Sequence, residues 1–185
     1  MKNTFDYVTP ESNDPIRIER VVADKPGGGL IADPGFDAKE SEALALDADG
    51  YRYDVIKGYP LVAAVAAADT TIKIAKGSGI VVGEFLGYGT KAVACTAVDD
   101  TNADYDLVTV TMGINIAAGE VLYQALAASA DAAEIIKTPV YVMGTPIEGN
   151  NGDQEAQLIT IGTLRKETSF IGKDVVAKLG TIKLV

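Results

Sequence analysis

Residues 71–86 and 107–122 follow one scheme with no gap between the two copies. Thr71-Ile72-Lys73-Ile74 alternates apolar and polar residues, as Leu107-Val108-Thr109-Val110 does. Ile72 matches Val108, Ile74 matches Val110 and Gly77 matches Gly113. Ile80-x-x-Gly83-Glu84-Phe85-Leu86 then matches Ile116-x-x-Gly119-Glu120-Val121-Leu122. The unit reads as a strand, a glycine turn, an inward apolar residue, and a Gly-Glu turn that launches a second strand. Gly77, Gly83, Gly113 and Gly119 can take positive φ there, and Glu84 and Glu120, just past the turn, can stay solvated. A lone hairpin is marginal in water, so the copies are expected to form two arms of one small barrel or sandwich. A solenoid would need a third repeat.

The flanks also read as β-structure. Ile16, Ile18, Arg20 and Val22 alternate, and Ala48-Asp49-Gly50 separates strand-like runs at Glu42–Asp47 and Tyr51–Val55. That hairpin puts Leu44 with Leu46, and both tyrosines with Val55. Ala92 to Val98 reads as a strand, and Asp99 to Asp106 as a polar loop. Ala125 to Ile136 is alanine-rich and fits either a helix or a loop. Residues 139–144 and 156–164 pair as a second hairpin region around the Glu148–Asp153 turn. Helical spacing appears only at Ile171, Val175, Val176 and Leu179, before Gly180, and Thr181–Val185 can close as a strand. The expected fold is mainly β: a small barrel or sandwich of short strands with an internal β-hairpin duplication and one short C-terminal helix. Three regions follow: 1–57 as loop-rich strands or an arm, 58–136 as the duplicated unit, and 137–185 as a hairpin plus helix on the same core.

The side-chain inventory narrows the chemistry. The 185 residues include no histidine and one cysteine, which removes Ser-His-Asp and Cys-His constellations, histidine zinc sites and an internal disulfide. Cys95, in an alternating apolar stretch, reads as inert packing. A formal charge of -10 repels phosphate backbones, so nucleic acid is not an expected partner. Asp99, Asp100, Asp104 and Asp106 could collect Ca²⁺, but their order is not that of an EF-hand, and solvated turns are the simpler reading. Lys25-Pro26-Gly27-Gly28-Gly29 and Lys76-Gly77-Ser78-Gly79 lack the spacing and following helix of a phosphate loop. Paired carboxylates for glycoside hydrolysis are formally available, but the sequence places no two of them across a cleft. No metal, cofactor or catalytic residue is expected. Between Ala92 and Ile136 there are seven acids and no Lys or Arg, whereas five basic residues face two acidic ones from Arg165 onward. Such polarity suits a molecule that uses its two ends differently, and equally an ordinary mixed surface.

Met1 to Arg20 lacks the basic and apolar regions of a secretory signal, and the longest apolar run, Leu61 to Ala68, is too short to cross a bilayer. Synthesis in the cytoplasm, with no membrane partner, is the expectation. Residues 92–110, from Ala92-Val93-Ala94-Cys95 to Leu107-Val108-Thr109-Val110, resemble the head fibre or capsid decoration proteins of tailed phages and prophages of Bacteroides-type bacteria. So does the end, Lys173-Asp174-Val175-Val176-Ala177-Lys178-Leu179-Gly180-Thr181-Ile182-Lys183-Leu184-Val185, and the likeness spans roughly residues 58 to 185. The Gly-Glu-Val-Leu turn is similar to that of small β-barrels in lambda-type decoration proteins. The resemblance implies a non-enzymatic virion protein on the outer capsid, binding the major capsid protein and itself, commonly as a homotrimer. A glycan-binding adhesin or lectin-like module is the competing expectation, because β-barrels with polar loops serve that role too.

Overall fold

The structure, a computed structural model, describes residues 15–185, so the acidic, proline-containing start of the chain lies outside the described residues. In chain order the strands are β1 (Ile18–Asp24), β2 (Gly29–Ile31), β3 (Ala43–Leu46), β4 (Arg52–Ile56), β5 (Gly58–Pro60), β6 (Thr71–Ala75), β7 (Phe85–Tyr88) and β8 (Lys91–Ala94). Next come β9 (Ala97–Asp99), β10 (Tyr105–Thr109), β11 (Val121–Ala125), β12 (Tyr141–Met143), β13 (Gln154–Ala156), β14 (Leu158–Leu164), helix α1 (Lys173–Leu179) and β15 (Ile182–Leu184). The chain is mainly β, as the sequence indicates. The strand expected over 92–98 is broken in two at Cys95 and Thr96, where it leaves one sheet for another.

Residues 58–125 form two sheets, ordered β5-β11-β7-β8 and β6-β10-β9, around one core. Equivalent positions of the repeat pair with each other. Ile72 lies opposite Val108 in the β6–β10 ladder, and Gly87 lies opposite Tyr123 in the β7–β11 ladder. In an antiparallel pair this happens only where a two-fold axis relates the strands, so the unit is a pseudo-two-fold barrel. Symmetry extends the repeat one strand upstream. Tyr59 faces Leu122 just as Val93 faces the equivalent Leu86. The Leu61 amide bonds the Glu120 carbonyl at 2.9 Å, and the Cys95 amide bonds the Glu84 carbonyl at 2.8 Å. The core is filled by matching pairs: Leu61 with Cys95, Ile72 with Val108, Ile74 with Val110, Ile80 with Ile116, and Leu86 with Leu122. Each such aliphatic side chain contributes roughly 1.5–3 kcal/mol of burial.

The remaining strands make one eight-stranded sheet, ordered β1-β14-β12-β3-β4-β2-β13, with β15 parallel to β14. Its two ends share the same chain segments: β13 and β14 are separated only by Gln157, and the Lys25 amide, just after β1, bonds the Leu158 carbonyl. The sheet therefore curls back on itself. Alternation along its strands sends neighbours to opposite cores. Leu44, Met143 and Leu158 fill the inside of the curl with Ile31 and Tyr53. Ala43, Val142 and Ile159 point outward onto Ala92, Tyr123 and Ala125 of the barrel and onto Ile171 and Val175. The chain thus leaves this sheet after β4, builds the barrel, and returns to it at β12.

Two local expectations need correction, and one left open is decided. Leu46 does not share the burial of Leu44; it is 46% exposed opposite Tyr53, at the turn end of the β3–β4 hairpin, and Tyr51 lies exposed before β4 begins. The helix starts at Lys173, because Gly172 is extended (φ -89°, ψ 167°) and a Cβ there would sit 2.4 Å from the Val121 carbonyl oxygen. It ends as read, at Gly180 with φ 68°. Residues 126–136 form an irregular loop, tied by two hydrogen bonds between Ala92 and Ser129 and one from the Leu126 amide to Glu134.

Candidate functional site

Gly77, Gly83, Gly113 and Gly119 all have positive φ, between 66° and 95°, as the turns require. The glutamates that follow the second turn behave differently from expectation. Glu84 and Glu120 are not solvated: their side chains are 14% and 13% exposed, and each gathers donors from distant chain segments. Glu84 accepts from Lys57 Nζ at 2.6 Å, Tyr59 Oη at 2.9 Å, Gln124 Nε2 at 3.1 Å and the Val81 amide at 3.1 Å. Glu120 accepts from Tyr88 Oη at 3.1 Å and from Lys166 and Lys173, each at 3.2 Å. Tyr88 and Gln124 are equivalent in the repeat, so each copy donates from the same position to the other copy's glutamate. A buried carboxylate costs heavily unless donors surround it, and these two are surrounded.

The electrostatics follow from the contacts. Burial pushes the Glu120 carboxyl up, but Lys166, Lys173 and Tyr88 outweigh it and hold the group below the ordinary glutamate range. Burial, reinforced by Glu84, drives the Tyr59 phenol well above its ordinary value. The bond to Tyr88, opposed by partial burial and supported by Glu120, raises the Lys173 ammonium. Two lysines of the basic C-terminal region therefore meet one of the seven acids of residues 92–136, and Lys76 binds another, Asp106, at 2.8 Å. The opposite charges seen in the sequence are partly spent on each other, rather than set at two free ends.

The other candidates are turn chemistry. Asp99 Oδ1 accepts from the Thr101 hydroxyl at 2.7 Å and the Thr101 amide at 3.0 Å, and these bonds lower its pKa. Asn102 caps the Asp104 amide at 2.9 Å. Among the described residues no three His, Cys, Asp or Glu side chains converge in a way that could hold a metal ion. Lys25 donates to Tyr53 Oη at 3.1 Å, and Lys76, although 39% exposed, donates to Asp106, so each glycine loop has its lysine engaged by a protein partner. Cys95 is 1% exposed in the barrel core. A cleft of about 510 Å³ lies between the 126–138 loop and α1, lined by Tyr123, Glu134, Lys137, Asp174 and Lys178.

Exposed apolar side chains occur on the barrel, at Val62, Val81, Val82 and Leu126, and also along the outer strands of the curled sheet. Val21 and Val22 on β1 are 39% and 57% exposed, and Ile161 on the neighbouring β14 is 41% exposed. Val140, just before β12, is also 41% exposed. Ala23 lies opposite Ile161, and the β1–β14 ladder is bulged at three places. Such bulges, with Glu19 and Arg20 on the same strand, guard an edge against indiscriminate pairing while leaving its apolar side chains available. Among the described residues no helix is long and apolar enough to cross a membrane. No family model, no curated protein and no solved structure matches this chain.

Proposed function

We propose that the protein is a non-enzymatic decoration or head fibre protein of a tailed phage or prophage, made in the bacterial cytoplasm and bound to the outer capsid surface. The observation that carries this reading is the division of labour among side chains. Glu84, Glu120, Lys57 and Asp106 are mostly buried and brace the barrel through ion pairs, while Val21, Val22, Ile161 and Val140 face outward. A surface of that kind works by area and copy number, with no reaction required. The resemblance to phage head proteins falls on β8 to β10 and on α1 with β15, strands of all three sheets and the helix beside them. The partners are the major capsid protein and further copies of this chain, as a homotrimer. Phosphate backbones are repelled by the charge of -10.

One observation favours a second reading, a glycan-binding module. The 510 Å³ cleft joins Tyr123 to the charged Glu134, Asp174 and Lys178, a polar set able to bind hydroxyls. Light scattering over a range of concentrations tests the first reading. A species near three times 19.3 kDa, lost in Val22→Glu with Ile161→Glu, supports it. A strict monomer at every concentration removes the trimer, and a glycan screen then decides for or against the second reading.

A further inference from the structure

Both carboxylate oxygens of Glu42 are shut away from solvent, and neither has a hydrogen-bond donor. Its backbone sits at a crossing point. The Met143 amide bonds the Glu42 carbonyl at 2.8 Å, and the preceding Ser41 bonds the Met143 carbonyl at 2.8 Å. Ser41 has φ 76°, and its hydroxyl accepts from the Phe170 amide at 2.8 Å. This segment therefore ties the curled sheet to the strand-to-helix connection that runs beside the barrel, where Gly58 packs against the Phe170 carbonyl.

Charged groups approach Glu42 from several elements, and each is already engaged or held off. Lys39 and Glu40 lie on its own segment. The Lys39 amide points toward the carboxyl outside hydrogen-bonding geometry. Arg17, before β1, pairs with Glu40 at 3.8 Å and stacks on the Phe170 ring. Lys57, between β4 and β5, is held by Glu84 at 2.6 Å and the Gly79 carbonyl at 2.5 Å, over the Phe36 ring. Tyr59 on β5 is turned to Glu84 as well. Burial pushes the Glu42 carboxyl up to about 8, and the pull of the Lys39 amide, Lys57, Lys39 and Arg17 offsets it only in part.

We propose that Glu42 is a proton-operated latch at the seam between the curled sheet and the barrel. Neutral Glu42 lets the seam close around it. Ionised Glu42 competes with Glu84 for Lys57 and admits water, which loosens the Lys57–Glu84 brace and the Ser41 and Met143 bonds beside it. The absence of histidine makes this latch readable: among side chains, none with an ordinary pKa titrates between pH 5 and 8 in this chain. A carboxyl whose pKa is raised on folding binds a proton that the unfolded chain gives up. Its stabilisation is complete below the ordinary glutamate value of 4.5 and is lost as pH rises toward about 8.

The test is urea unfolding of the full chain from pH 5 to 9, in the wild type and in Glu42→Gln. The wild-type unfolding constant should rise by up to about tenfold per pH unit between pH 5 and 8 and then level off. Glu42→Gln should flatten that rise. Hydrogen exchange at the Ser41, Met143 and Phe170 amides, corrected for intrinsic rates, should quicken above pH 8 in the wild type and not in the variant. If Glu42→Gln does not fold, the wild-type slope and exchange decide alone. A wild-type stability that is constant or rising from pH 5 to 8, or a variant with the wild-type slope, overturns the proposal.

Discussion

Gly87 on β7 and Tyr123 on β11 face each other across one ladder, and they occupy the same position in the two copies of the repeat. The pairing of a glycine with a tyrosine at a symmetric site is an asymmetry with a physical cause. The Tyr123 ring occupies the space beside Gly87 where a Cβ would stand, and its hydroxyl donates to the Gly89 carbonyl at 2.9 Å. One copy thus supplies the ring and the other the space for it.

Gly87→Ala should therefore destabilise the barrel although its backbone conformation suits alanine. The new Cβ would stand 2.3 Å from Tyr123 Cε2, and overpacking of this kind costs about 1–3 kcal/mol. Chemical denaturation checks this, and a variant as stable as the wild type would mean that Tyr123 does not pack there.

The two equivalent glutamates should respond unequally to the same change. Glu84→Gln leaves Lys57, whose side chain is 12% exposed, buried without its charge partner, a loss of about 3–5 kcal/mol. Glu120→Gln releases Lys166 and Lys173, which are 55% and 56% exposed and rehydrate, so about 1 kcal/mol is expected. Added salt should weaken the wild-type contribution of Glu120 more than that of Glu84. The reverse order of stabilities would contradict this account of the braces.

The sequence made the β class and the register of 71–86 on 107–122 legible, because those copies align without a gap. It showed a strand over 92–98 but hid that this strand and the 58–62 segment are the equivalent first strands of the two copies. Gly58-Tyr59-Pro60-Leu61-Val62 and Ala92-Val93-Ala94-Cys95-Thr96 share no identical residue, and their separation differs from that of the later strands because the second copy has a longer loop before β10. The glutamates looked like surface residues because their partners, Lys57, Tyr59, Lys166 and Lys173, come from remote segments that only folding brings in. Nothing around Glu42 in the sequence marks it as buried.

Acid should loosen a particular loop first. Asp33 accepts from the Gly35, Asn150 and Gly152 amides, and these bonds, opposed slightly by burial, lower its pKa. Stability from such a group is present above the ordinary aspartate value of 3.8 and is lost as pH falls below it. Exchange at the Asn150 and Gly152 amides, followed from pH 5 to pH 3, should accelerate relative to the barrel strands, and Asp33→Ala should reproduce the acid behaviour at neutral pH. Equal acceleration throughout the molecule would argue against a local anchor.

Cys95 should report opening of the barrel. It is buried and its sulfur approaches the Ala97 carbonyl at 3.4 Å, while burial pushes its thiol pKa up. A thiol reagent at pH 8 should modify it slowly in the native protein and quickly in urea, at a rate that follows global unfolding. Rapid native labelling would place Cys95 at a surface, in conflict with the paired Leu61 and Cys95 core.

The most direct test of the proposed role is co-sedimentation of the purified chain with emptied heads of tailed phages of Bacteroides-type bacteria. The account predicts saturable retention on the shells, lost in Val22→Glu with Ile161→Glu and kept when glycans are added as competitors. Protein that stays in the supernatant at all concentrations, or is released by glycans, would contradict it.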